Sequence, residues 1–296
     1  MFIPGDWPAK AITEPRYDRC PVHLAMLSAY GTILPYEKKK RKKGKMRYTE
    51  KYKVTSHDVD VNNNMKPSLV LRYMQETANH QMRDRKPSYY DLFFAGKSFI
   101  ITRITIEIYE QIHQYDEIEV ATWRCPEKGA TFIRCYEITC RGRIAARGYS
   151  VWAVTNQKTG KLCKASEVDI SNYDTDEPLT LAVPNRFRLP KTIDYVKAGE
   201  KTVFYSDVDM NLHMNNTHYP DMLWNYIPDV INKEVTSVNL RFMREAPLGG
   251  KVEIFMGKMD APLPEDRDAE ETYCFASRVN GDTNVEAQIG MRKLKK

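Results

Sequence analysis

Apolar residues recur along this chain in two rhythms, and the succession of rhythms occurs twice. From Ser98 to Tyr109 (SFIITRITIEIY) β-branched residues alternate with polar ones, the period of a strand with one buried face. Similar runs lie at Glu117–Trp123, Thr131–Cys140 and Ile144–Thr155, and again at Ser237–Met243, Lys251–Lys258, Glu271–Val279 and Asn284–Arg292. Turn signals separate them at Glu127-Lys128-Gly129, Arg141-Gly142, Gly249-Gly250 and Asn280-Gly281. A helical rhythm precedes each set. Leu71, Met74, Ala78 and Met82 follow Pro67 and Ser68, a suitable helix opening. Asn215 and Asn216 suit the cap of a shorter segment, THYPDMLWNYI, which Pro228 ends and which tolerates Pro220 only in its first turn. Strand-like residues at Tyr52–Ser56 and Thr202–Ser206 come first in each half. The order strand, turn, helix, then several antiparallel strands predicts an α+β fold with one helix packed on a strongly curved sheet in each half.

The repetition is visible in the residues themselves. His57-Asp58-Val59-Asp60-Val61-Asn62-Asn63-Asn64-Met65 aligns with Ser206-Asp207-Val208-Asp209-Met210-Asn211-Leu212-His213-Met214, 149 positions later. The halves are expected at 46–165 and 201–296. Residues 166–200, with Pro178, Pro184 and Pro190 and few apolar runs, read as a linker draped over the surface.

Composition narrows the function. Residues 1–50 hold 11 Lys/Arg against 5 Asp/Glu, whereas the remaining 246 hold 34 of each. The excess positive charge therefore belongs to residues 1–45, expected to be a flexible extension in which the run Lys38–Lys45 is a solvated tail rather than a nucleic-acid contact. No run reaches the roughly 18 apolar residues of a membrane span, and the N-terminal residues lack the pattern of a secretory or transit leader. Six cysteines (Cys20, Cys125, Cys135, Cys140, Cys163, Cys274) without a CxxC pair suit free thiols in a reducing cytoplasm.

The chemical inventory is short. A GxSxG elbow, an HExxH pair and paired CxxC motifs are missing from the sequence, so no serine triad, metal or cofactor is expected. Gly96-Lys97-Ser98 resembles the end of a phosphate loop, but Asp91 stands where the first glycine belongs. What remains is carboxylate, amide and imidazole, the groups that activate water. Asp209, Asn211 and His213 would share one side of an extended segment, and the helix start that follows would favour a developing oxyanion. A hydrogen-bonded turn is the competing reading, since Asp and Asn favour turns. The first copy keeps Asp58, Asp60, Asn62 and Met65 but has Asn64 in place of His213, so the shared residues read as scaffold and the histidine marks one working site, in the C-terminal half.

With Tyr219 following, the run Asp207–Asn216 resembles the signature of the acyl-acyl carrier protein (acyl-ACP) thioesterases of plant plastids and bacteria. The likeness covers about residues 46–296 and includes Leu240-Arg241-Phe242-Met243-Arg244-Glu245. It implies two tandem hot-dog domains, each a curved antiparallel sheet wrapped around a central helix. It also implies a catalytic glutamate at Glu245. Many plant members carry a cysteine next, where this chain has Ala246, which excludes a Cys-His mechanism at that position. The resemblance implies hydrolysis of fatty acyl-ACP to free fatty acid. Glu245 would polarise water, His213 would orient it or move its proton, Asn211 would hold water or carbonyl, and Asp209 would fix His213 or Asn211. The N-terminal half would line an acyl tunnel with Leu71, Met74 and Ala78. Acyl carrier protein is the expected partner, met by a basic patch such as Arg83, Arg85 and Lys86 or Arg141, Arg143 and Arg147, with pairing of two copies also expected. Acyl-CoA hydrolysis and a non-catalytic acyl-binding module are the alternatives.

Overall fold

Each half places one strand, then helix, then four strands in order, as the alternating rhythms require. The computed structural model describes residues 47–126 and 130–294. The extension 1–45 with its lysine run, the turn at 127–129 and Cys20 lie outside the described residues. The first half comprises β1 (Tyr48–Lys53), α1 (Pro67–Arg85), α2 (Tyr89–Phe94), β2 (Lys97–Ile108), β3 (Glu117–Arg124), β4 (Phe132–Cys140) and β5 (Arg143–Asn156). The second comprises β6 (Val196–Thr202), α3 (Tyr219–Trp224), β7 (Lys233–Phe242), β8 (Lys251–Lys258), β9 (Glu271–Val279) and β10 (Asp282–Lys293).

Among the described residues the strands form one antiparallel sheet in the order β1-β3-β4-β5-β2-β7-β10-β9-β8-β6. Read outward from the middle, the two sides are the same: β2, β5, β4, β3, β1 against β7, β10, β9, β8, β6. The sequence repeat is thus a pseudo-twofold of the structure, with its seam at β2–β7, where Thr105 pairs with Asn239. Ile104, Ile106, Val238 and Leu240 point to the core from this seam, as the strand period dictates. Thr105 and Asn239 point to the opposite face and hydrogen-bond each other at 2.9 Å. The result is the expected double hot-dog, two curved half-sheets with a helix against each.

Helix α1 opens with Pro67 and buries Leu71, Met74, Ala78 and Met82, the predicted stripe, together with Val70. Its packing is close. A Cβ on Gly148 of β5 would lie 2.8 Å from Met74 Sδ and 3.2 Å from the Tyr136 ring, so the helix can approach only because that position is bare. Helix α3 is shorter than its sequence segment: it ends at Trp224, and Pro220 sits in its first turn. β1 and β6 both lie earlier than expected. The cause is a carboxylate in each half: Asp58 accepts the Thr55 N–H (2.7 Å) and Asp207 the Phe204 N–H (2.9 Å), which turns the chain out of the strand. The six-residue helix α2 was not anticipated from periodicity.

Residues between β5 and β6 cross the face of the sheet remote from α1. Glu177 O accepts from Trp123 Nε1 (2.9 Å), Glu107 Oε1 accepts from Val183 N–H (2.7 Å), and Pro184 O accepts from Asn239 Nδ2 (2.8 Å). Asn185 donates to Thr105 Oγ1 at 3.1 Å, so this segment lies directly over the seam. Its last residues, from Val196, already belong to β6.

Filling the gap at Gly148 tests the helix–sheet contact. Gly148→Leu is expected to cost about 1–3 kcal/mol through overpacking, read as a lower midpoint of urea unfolding with an unchanged slope. An unaltered midpoint would show that α1 does not depend on this approach.

Candidate active site

The two repeated motifs fold as the same closed turn. Asp60 N–H donates to Asn64 O (2.8 Å) and Asp209 N–H to His213 O (2.9 Å), while Asn63 N–H and Leu212 N–H donate back to the Asp60 and Asp209 carbonyls (3.1 and 3.0 Å). Asn63 and Leu212 take left-handed conformations, φ 64° and 61°. The carboxylates complete the turn: Oδ1 of Asp60 accepts the Asn62 N–H and Oδ1 of Asp209 the Asn211 N–H, both at 2.8 Å. The segment is therefore a turn and not the extended run in which positions 209, 211 and 213 would share a side. The cause is local, an Asp side chain capturing the N–H two residues on.

Each turn is tied to the loop after the long strand of its own half. Met65 N–H donates to Ile112 O (2.7 Å) and Met214 N–H to Ala246 O (2.8 Å). Bridges pair Asn64 with His113 and His213 with Pro247. This pairing brings Glu245, 32 positions away in sequence, beside His213: Glu245 Oε2 lies 3.1 Å from His213 Nδ1. A carboxylate only accepts, so a hydrogen shared across this contact is one carried by Nδ1. The imidazole is partly sheltered and the carboxylate exposed, 27% and 60% accessible. The Asp209 carboxylate is directed to Asn211, with Oδ2 3.4 Å from Nδ2. Asp209, expected to fix His213 or Asn211, turns to Asn211, and Glu245 is the acid that reaches the imidazole.

Matching positions in the first half are chemically silent. Asn64 stands for His213, and Gln111, just before Ile112, stands for Glu245. Both are neutral amides; Gln111 Nε2 donates to Val235 O (3.2 Å), and the backbone N–H of Asn64 is held by Asp60 Oδ1 (2.9 Å). The Glu245–Gln111 correspondence rests on loop hydrogen bonds, which explains why alignment of the nine-residue motif alone missed it.

Surrounding groups shape the field. Burial pushes the Tyr219 phenol up to about 12, with the charge of Glu245 adding to it. Burial also lowers His218, helped by Arg72, whose guanidinium lies 3.3 Å from its Nε2. His218 thus packs at the helix start beside Asp207. His80 contacts Glu50 and Glu76. At the helix start, Asn215 Oδ1 takes the Thr217 N–H at 3.0 Å, which commits one of the donors considered for an oxyanion. Tyr89 and Tyr90 of α2, overlooked in the sequence, reach the turn: Tyr89 hydroxyl to Asn211 Oδ1 (3.5 Å) and Tyr90 hydroxyl to Met210 Sδ (3.9 Å). Their signal was Ser88 followed three residues later by Asp91, a capping box before an aromatic run.

Both candidate basic patches are paired internally. Arg83 meets Asp84 (2.8 Å), Arg85 meets Asp174 (2.9 Å) and Lys86 meets Asp91 (3.1 Å). Arg141 pairs with Asp116, Arg143 with Glu110 (3.2 Å) and Arg147 with Glu137 (2.9 Å). Five described cysteines are free and buried. Among the described residues no helix is long and apolar enough to cross a membrane.

Residues 45–173 match the family profile of the acyl-ACP thioesterase N-terminal domain and residues 191–293 that of the C-terminal domain. A chloroplastic palmitoyl-acyl carrier protein thioesterase of Arabidopsis thaliana is 26% identical over 215 residues, 67% of this chain and 52% of the relative. A chloroplastic oleoyl-acyl carrier protein thioesterase of the same plant is 28% identical over 221 residues, 67% of this chain and 60% of the relative. The chain thus spans about half the length of the first of these relatives. An acyl-ACP thioesterase from Bacteroides thetaiotaomicron superposes with a TM-score of 0.72 at 20% identity, covering 82% of this chain and 97% of that one. The 12:0-ACP thioesterase from Umbellularia californica gives 0.72 at 17% identity, covering 84% and 94%. At these identities the superpositions establish the shared double hot-dog fold. Taken with the two domain profiles, in order and over both halves, they show that this chain belongs to the acyl-ACP thioesterase family.

Proposed function

We propose that the chain hydrolyses the thioester of fatty acyl-ACP, releasing a free fatty acid and the carrier thiol, at a site built from His213, Glu245, Asn211 and Asp209. The observation that carries this reading is the 3.1 Å contact between His213 Nδ1 and Glu245 Oε2 in one half only, against Asn64 and Gln111 in the other. An acid–imidazole pair can activate water, whereas two amides have no proton to exchange near neutral pH.

The chemistry follows from the orientation of the pair. Glu245 holds the Nδ1 hydrogen, so His213 Nε2 takes a proton from water as the water oxygen bonds to the thioester carbon. The carbonyl oxygen gains the negative charge and is met by the Asn211 amide N–H. Collapse of the tetrahedral intermediate breaks the C–S bond, and the imidazolium returns its proton to the departing thiolate. Glu245 thus acts through His213 rather than on water directly. Asp209 shapes the turn that presents Asn211. Ala246, buried with its carbonyl bonded to Met214, leaves the cysteine route closed.

Family analogy assigns the N-terminal half to the acyl chain. Leu71, Met74 and Ala78 lie in the core cluster beneath the sheet. Met74, flexible and in contact range of Gly148, is the side chain best able to yield to a guest.

Free-thiol release from acyl-ACP and acyl-CoA thioesters of graded chain length tests the reading. Hydrolysis is expected with acyl-ACP preferred; a CoA preference would reassign the carrier, and silence on every substrate would remove the enzymatic reading. His213→Ala and Glu245→Gln are each expected to lower kcat by about 10²–10⁴-fold with the fold retained by circular dichroism. Full activity in either would discard the dyad. Asp209→Ala, which removes the acceptor of the Asn211 N–H, is expected to lower stability by about 1 kcal/mol together with activity; a change in neither would separate Asp209 from the site.

A further inference from the structure

We infer that Tyr89 is a positioning residue of this site: its hydroxyl, supplied by the N-terminal half, acts with Asp209 to hold the direction in which the Asn211 carboxamide faces in the C-terminal half. The inference rests on the thioesterase reading of the site, but its geometry stands apart from it.

Local sequence puts Tyr89 where it is. Ser88 Oγ accepts the Asp91 N–H (3.2 Å) and the Asp91 carboxylate accepts the Ser88 N–H (2.7 Å), a reciprocal cap that starts α2 at Tyr89. The Tyr89 ring stacks on Phe93 with centroids 6.2 Å apart and meets Tyr90 edge-on at 5.8 Å. These contacts hold the ring independently of its hydroxyl.

Donor and acceptor rules then fix the order of the three groups. The Asp209 carboxylate accepts only, so the Asn211 group 3.4 Å from its Oδ2 is the NH2. Oδ1 of Asn211 consequently faces Tyr89, and the phenol donates to it across 3.5 Å. That distance is long for a hydroxyl donor and leaves room to tighten when substrate arrives. Burial raises the pKa of Tyr89 and the charge of Asp209 adds to this, so the donor keeps its hydrogen at neutral pH. With one Nδ2 hydrogen turned to Asp209, the second remains to meet the thioester oxygen.

The silent half shows the contrast. Asn62, the counterpart of Asn211, donates its Nδ2 to the Ile231 carbonyl at 2.7 Å. A carbonyl from the opposite half takes that amide N–H, whereas in the working half a phenol from the opposite half engages the amide oxygen and the amide N–H turns to Asp209 of its own turn. The contact from the opposite half is thus an acceptor for the NH2 of Asn62 and a donor to the oxygen of Asn211.

Tyr89→Phe keeps the ring and the cap and removes only the hydroxyl. In protein labelled with 15N-asparagine, the side-chain NH2 signals of Asn211, assigned by their loss in Asn211→Asp, are expected to shift in Tyr89→Phe. In acyl-ACP hydrolysis the same variant is expected to lose about tenfold in kcat, the worth of one hydrogen bond, with KM changed by less than about twofold. Unmoved NH2 signals would overturn the inference, as would an unchanged kcat in an active enzyme. Inactivity of the parent chain on every thioester would instead count against the thioesterase reading, and the NMR comparison would then decide the Tyr89 contact by itself.

Discussion

The β2–β7 strand pair is the contact on which the rest of the molecule depends. With Thr105 opposite Asn239, the backbone ladder joins two half-sheets that would otherwise each end in an open edge. Outside the core, the Thr105–Asn239 hydrogen bond is covered by Pro184 and Asn185, so the connecting segment locks the seam from the far face. Inside it, Ile104, Ile106, Val238 and Leu240 make a common core for both halves. The seam also sets the helices side by side. Ser68 of α1 donates to Asp221 of α3 at 2.7 Å, and Arg72 reaches Thr217 at 3.3 Å. Only with the halves held in this way does α2 of the first half stand over the turn of the second.

Duplication followed by divergence is written into the two turns at the level of single groups. The backbone hydrogen bonds that close the two turns match to within about 0.1 Å between the halves, as do the captures of the Asn62 and Asn211 N–H groups by Asp60 and Asp209. Side chains that leave the turn are not retained. His213 and Glu245 form an acid–base pair, while Asn64 and Gln111 at matching places are amides. Asp60 and Asp209, retained, spend a carboxylate oxygen on the turn, whereas His213 and Glu245, found in one half, turn their polar atoms to each other.

Much of the fold was legible in the residues. Apolar periodicity placed α1 and eight of the strands within a few residues, since burial on one face is a local pattern with a fixed repeat. The 149-residue repeat located the motif of Asp209, Asn211 and His213. Element ends were less legible. β1 and β6 stop early because Asp58 and Asp207 capture N–H groups three residues before them, which competes with strand extension. α2 escaped because six residues complete too few turns to show a period, although its capping box was readable.

Sequence by itself determined the α+β order, the duplication, the balanced charge of residues 51–296 and the histidine present in one copy alone. It could name Glu245 only through family resemblance, because nothing local connects that residue to His213 across 32 positions. Tertiary structure decided which acid meets the imidazole. Pairing of His213 with Pro247 brings Glu245 to it, while the Asp209 carboxylate is taken up by its own turn. It also decided that Tyr89 belongs beside Asn211, a contact across the two halves that depends on the register of β2 against β7. Local patterns report the periodicity of burial, whereas the meeting of reactive groups depends on strand register and on loops closed over long separations.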